Sequence, residues 1–339
     1  MTAALTTPDA PAQPSAGRFV LRQLRWLVRL HRPALLIWGA FALVTCAALI
    51  WLGGPLTDSA ATAWATERGC GITDCAYDPA APDRYSDFYT RTTFAVLAAP
   101  FLVAAWAGGW LTSRELESGT ARLAWTQGVS PARWLAARLA LPGLLVVTVT
   151  GLLAWLHRRA WTAGEDRFPA TDAWYDYPTF YANGLLPVAL ALAGLGVGAV
   201  AGLLLCRSAA SLATATVAVG LLWAAVHLAL PYLWPTVTRV TSLEQGPAVL
   251  GISTGEGVLT ADGDRRTTAC RTILNGCHRN LEDLGAVHYF NDFHPPSHYW
   301  PLQLVASGAL LAVTALCVLA AFRLLRRHTG PVPGKADRS

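Results

Sequence analysis

Histidines, cysteines and a single lysine carry most of the chemistry that this sequence offers. His288, Asp292, His294 and His298 crowd one short stretch, and mixed His/Asp donors can ligate zinc. Pro295, Pro296 and the aromatic Tyr289, Phe290, Tyr299 and Trp300 explain that stretch without metal, as a stiff approach to the apolar run that follows. No metal site is expected there. His227 is the one titratable side chain inside a long apolar block, which makes it a candidate for substrate contact. It lies one turn before Pro231, where a neutral imidazole costs little. Lys335, the only lysine, stands in Pro-Gly-Lys-Ala, and no G-x-x-x-x-G-K-[ST] loop exists to cradle nucleotide phosphates. No Ser/His/Asp set and no pair of catalytic carboxylates can be argued, since Asp262 and Asp264 flank Gly263 in a solvated turn. The chain is therefore not expected to be an enzyme or to hold a cofactor of its own.

The elements that position these residues are apolar. Of 339 residues, 53% are hydrophobic and 14% charged, against about 25% charged in soluble domains. A formal net charge of +5 excludes a strongly basic nucleic-acid binder. A membrane helix needs about 20 mainly apolar residues, and six stretches qualify: 33–52, 92–112, 136–156, 184–206, 208–231 and 299–322. Backbone groups in lipid must be satisfied within the segment, so these are helices. The expected fold is all-α: a polytopic membrane domain over 18–328, with six spans and a large outer loop before the sixth. Residues 1–17 and 329–339 are polar and read as disordered tails.

Six crossings put both termini on one side. The stretches 1–33, 112–138, 207 and 323–339 carry five, four, one and five of the 26 basic residues, so that side is expected to be cytoplasmic. His157-Arg158-Arg159 runs against the rule locally. Cys70, Cys75, Cys270 and Cys277 then fall on the oxidising outer side and suggest disulfides. Four cysteines allow three connectivities, which the sequence does not separate; short loops favour the local pairs 70–75 and 270–277. Spacings of C-x4-C and C-x6-C match no common zinc site.

Ahead of the first span, Arg18, Arg22, Arg25, Arg29 and Arg32 step by four, three, four and three, and so line one face of a helix. Phe19, Leu24, Leu27 and Leu30 fill much of the rest. Such a helix, over 18–32, lies in the membrane interface with its arginines toward anionic headgroups. In the fourth span Gly194, Gly198 and Gly202 form a stripe that lets another helix approach closely.

The loop over 113–133 is the most informative stretch. Thr120 can cap a short helix that runs to about Gln127 and ends at Gly128. Ser130 then caps a second helix with Pro131 at its first position. Glu117-Ser118-Gly119-Thr120, a short apolar helix, and Val129-Ser130-Pro131-Ala132-Arg133-Trp134 together resemble the E-x-G-T…[PV]-[ST]-R-x-x-[WL] signature of ABC-2-type transporter permeases. Arg114-Glu115-Leu116-Glu117, with Trp125-Thr126-Gln127-Gly128, is similar to actinobacterial ABC exporter membrane subunits. The approach to the sixth span, from Tyr289 to Trp300, resembles them as well. One departure is Pro131-Ala132, where many relatives place an arginine straight after the Ser/Thr.

The resemblance implies that the short helix is a coupling helix seated on a separate ATP-binding subunit. Glu115, Glu117, Gly119, Thr120, Arg122, Trp125 and Gln127 would then form the contact, with Gly119 allowing close backbone approach, Trp125 as anchor and the two glutamates meeting basic groups. It also implies a homodimer or a heterodimer with a related permease, ATP and magnesium on the partner, and a bacterial plasma membrane. Few charges in the spans favour an apolar or amphipathic cargo, such as a lipid or antibiotic. The alternative is a membrane-embedded sensor or resistance component that partners an ATPase without moving a solute.

Overall fold

The computed structural model describes residues 32–70, 78, 80–126, 129–169, 171–247, 251–268 and 277–329. The interfacial helix with Arg18, Arg22, Arg25 and Arg29, and both expected tails except Thr329, lie outside them. Of Arg32, only the backbone is described.

Six helices are long and apolar enough to cross a membrane. The first joins α1 (Arg32–Trp51) to α2 (Thr57–Gly69) through a π-helical segment, Leu52–Leu56. Pro55 within that segment has no N–H to donate, so the turn widens. The Thr57 hydroxyl then donates to the Leu52 carbonyl at 2.6 Å. The second helix repeats the device. There α3 (Ala80–Trp106) passes through the π-helical Ala107–Leu111 before the short α4 (Ser113–Glu117), and the Ser113 hydroxyl donates to the Gly108 carbonyl at 2.6 Å.

The short helix α5 (Thr120–Thr126) precedes α6 (Pro131–Gly164), α7 (Tyr177–Ala182), α8 (Leu186–Leu205) and α9 (Ser208–Ala229). Both α3 and α6 run well past the apolar stretches expected at 92–112 and 136–156. Their extensions are held by burial: Tyr85 and Tyr89 of α3 and Trp161 of α6 are almost completely enclosed. The residues between α6 and α8, where no membrane span is expected, contain α7, whose Phe180 and Tyr181 are buried in the same core.

Rich in alanine and glycine, α8 is the hub, packed against α3, α6, α9 and the final helix α11 (Tyr299–Thr329). Its glycine stripe is in close contact with the second helix. A Cβ on Gly194 would lie 3.0 Å from the Pro100 carbonyl oxygen, one on Gly198 2.5 Å from the Ala107 Cβ, and one on Gly202 would collide with the Thr112 hydroxyl. On the opposite side, a Cβ on Gly108 would come 2.5 Å from the Ser211 carbonyl oxygen of α9. The second π segment is thus wedged between α8 and α9. Outward faces carry exposed Leu36, Ile37 and Leu43 on α1 and Val217, Leu221 and Leu228 on α9, the surface expected against lipid.

The helical description holds for the bundle, and the segment before α11 adds a small sheet that the sequence reading did not anticipate. Strands β1 (Val237–Ser242), β2 (Ile252–Thr260), β3 (Arg265–Arg266) and β4 (Ala286–His294) form an antiparallel sheet in the order β1-β4-β2-β3. Val237 pairs with Phe293, and Ile252 with His294. Helix α10 (Cys277–Asp283) packs Leu281 against Val258 and Tyr289. The sheet caps one end of the bundle, and the α4–α5 turn lies at the other.

Candidate functional site

The end opposite the sheet is built around α4 and α5. Gly119 ends α4 with φ +74°, a left-handed conformation that glycine adopts freely. Nothing within this chain lies within 4 Å of where its Cβ would be, so open space surrounds it. Its carbonyl accepts from the amides of Arg122 and Leu123 and so opens α5. Thr120 begins that helix and does not cap it with its side chain. Its hydroxyl donates instead to the Glu115 carbonyl at 3.4 Å and lies 3.0 Å from the Ser118 hydroxyl. Ser130 does cap α6, accepting from the Arg133 amide at 3.4 Å, with Pro131 in the first turn.

Residues two apart on a helix point about 200° away from each other, and the two glutamates of α4 part accordingly. Glu115 turns inward. It accepts from Trp134 Nε1 at 3.1 Å and forms an ion pair with Arg138, whose side chain is 5% exposed. Glu117 stays at the surface and accepts from both the amide and the hydroxyl of Ser208 at the start of α9. Its carboxylate therefore occupies the positive end of that helix. Both glutamates brace the bundle, and Arg138, Trp134 and Ser208 are the partners that the sequence reading missed. Arg138 was legible as a lone charge at the edge of an apolar stretch.

Ala121 and Trp125 seat α5 on Trp134, Leu203, Ala321 and Leu325. Trp125 is half-buried, 5.8 Å from Trp134 in an edge-to-face pair, so much of the expected anchor is spent inside the chain. What α5 presents outward is Arg122, Thr126 and Leu123, the last 60% exposed. Gln127 lies outside the described residues.

At the sheet end, a buried polar set fixes α7. His157 of α6 is fully enclosed, with Nδ1 2.8 Å from Asn183 Oδ1 and Nε2 2.8 Å from Thr93 Oγ1. A neutral ring with its proton on Nδ1 satisfies both. Gln303 donates to the Phe180 and Asn183 carbonyls and accepts from the Leu186 amide. His227 is therefore not the one titratable group inside the bundle, because α6 is long enough to enclose His157. His227 itself stacks near-parallel on Trp223 and lies 4.2 Å from the Tyr177 ring.

The histidine-rich segment runs along β4 into the turn before α11. Asp292 accepts from Arg265 at 2.8 Å, His288 pairs with Ser242, and His294 lies 3.0 Å from the Pro231 carbonyl and 3.2 Å from His298. Among the described residues, no group of three or more His, Cys, Asp or Glu is placed to hold a metal. Cys46, Cys206 and Cys317 carry free thiols. Cys70 is not free, while Cys75, Cys270 and the side chain of Cys277 lie outside the described residues.

Comparison with curated proteins and with solved structures gives no match. Residues 39–232 match the family described as ABC-2 membrane transporter related. The match runs from α1 to the turn after α9, more than half of the chain, and takes in the α4–α5 turn, the glycine stripe and His157 with its partners Thr93 and Asn183. Six membrane-length helices agree with it. The chain belongs to the ABC-2 membrane transporter related family, as a multi-pass membrane permease.

Proposed function

We propose that this permease is the membrane-spanning subunit of an ATP-driven exporter, working with a separate ATP-binding subunit that supplies the nucleotide and magnesium. One observation carries the reading. A two-turn helix, α5, lies outside the apolar part of the bundle with Arg122, Leu123 and Thr126 unburied, yet its neighbours are braced into α6 and α9 through Glu115 and Glu117. A connecting loop has no need of such bracing. A lever does: a push on α5 reaches α6 through the Glu115–Arg138 pair, α9 through Glu117, and α8 through the π segment directly ahead of α4.

The α5 end is cytoplasmic in this reading, and the sheet and cysteines lie outside. Two permease copies, or one copy and a related permease, would enclose the path. The cargo is apolar or amphipathic, since the spans carry few charges, and His227, beside Trp223 and Tyr177, is a candidate to contact it. Reconstitution of the permease with its ATPase in proteoliposomes tests this. ATP hydrolysis stimulated by a transported lipid or antibiotic supports export. Stable association without stimulated hydrolysis or solute movement favours the sensor reading.

A further inference from the structure

The third membrane helix ends on a feature that export does not explain. His157-Arg158-Arg159 sets two arginines at the sheet end of α6, against the charge bias of the rest of the chain. The structure separates the three. His157 turns into the bundle, whereas Arg158 is half-buried and lies over two aromatic faces, 4.9 Å from the Trp161 ring centre and 4.6 Å from that of Tyr299. Exposed Arg159 lies 5.6 Å from the Trp155 ring.

Among the described residues no carboxylate forms an ion pair with either arginine. Glu165, about two turns further along α6, interacts with the Arg158 charge without forming an ion pair with it. Arg158 lies over both rings and also meets the Tyr299 hydroxyl, which occupies part of its fork; the guanidinium keeps further N–H donors, of the kind that meets two oxygens of a phosphate. The depth is also defined. Trp155 is 56% exposed and Trp300, next to Tyr299, is 53% exposed, as tryptophans are in the belt at a membrane boundary. Toward the membrane centre, α6 exposes Leu144, Leu145 and Leu152, along which acyl chains can lie.

We propose that Arg158 and Arg159 bind the phosphate of an anionic glycerophospholipid in the leaflet at the sheet end. The flanking apolar surface selects a lipid over free phosphate, because the tails gain contact that an inorganic ion cannot. The site concerns a resident lipid and stands whether or not the chain exports.

The test uses full-length protein, delipidated in detergent and titrated with phosphatidylglycerol under native mass spectrometry, with inorganic phosphate followed by calorimetry. Wild type should retain phosphatidylglycerol, and Arg158→Gln/Arg159→Gln should bind it about tenfold more weakly or worse, since charge-assisted hydrogen bonds are lost. Arg158→Lys should fall between them, keeping charge without the planar fork. Arg159→Gln alone changes an exposed residue and decides the matter if the double variant does not fold; it should weaken binding several-fold. Unchanged lipid retention in a monodisperse variant overturns the proposal. So does inorganic phosphate binding wild type as tightly as the lipid.

Discussion

Glu115 and Arg138, 23 positions apart, close a largely buried ion pair across the turn that separates α4 from α6. The pair is completed by Trp134, which donates to the second carboxylate oxygen. It joins the stretch that carries the E-x-G-T signature to the body of the third membrane helix.

Breaking that pair should be costly, because either single change removes the opposite charge beside a largely buried group. Glu115→Gln or Arg138→Gln is expected to lose about 3–5 kcal/mol of stability, read as a lower melting temperature in detergent. The double variant, with two neutral amides, should lose less than either single change. Equal melting of all four proteins would show that the pair does not hold the turn.

Close packing at the glycine stripe gives a second expectation. Gly198→Ala would drive a methyl to within 2.5 Å of Ala107, at a cost of about 1–3 kcal/mol. Gly308→Ala on α11 meets nothing within 4 Å and should be neutral or slightly stabilising, since alanine is the better helix former. Melting temperatures of the two variants make the comparison.

Asp172 lies half-buried between α6 and α7, and burial, with Asp176 nearby, raises its carboxyl above the usual carboxylate range. The folded state therefore binds a proton more readily than the unfolded chain, so this group's contribution favours folding at low pH and fades as pH rises through the folded value. Asp172→Asn should flatten the pH dependence of melting in that range. A steeper dependence in the variant would contradict the assignment.

Cys70 and Cys75, and likewise Cys270 and Cys277, are close enough in sequence to pair locally with little loss of loop entropy. Non-reducing peptide mapping of membrane-purified protein should find both short links. Free thiols at all four positions would refute the expectation, and long-range links would refute the local pairing.

The bundle was legible because apolar length is a strong signal: all six helices fall where uninterrupted apolar stretches end in glycine, proline or charge. The glycine stripe was legible too, since spacing alone sets its face. The sheet was not. Val237-Thr238-Arg239-Val240 alternates as a strand does, but its partner is β4, some 50 residues on, and single-chain patterning carries no sign of that pairing. The inward turn of Glu115 depends on α6 folding back beside α4. His157 was hidden because it stands next to two arginines, outside the apolar stretch at 136–156.

The central claim is that α5 is the surface on which an ATPase docks. Co-purification of the ATP-binding subunit, normalised to permease in the membrane, tests it most directly. Leu123→Asp changes a side chain that is 60% exposed and packs little within the bundle. It should cut recovery at least about tenfold, as loss of an interface anchor does, with the melting temperature unchanged. Trp125→Ala should lower recovery as well, with some loss of stability because Trp125 also rests on Trp134. Asp262→Lys, in an exposed turn of the sheet, should recover as wild type. Full recovery with Leu123→Asp and Trp125→Ala would contradict the account.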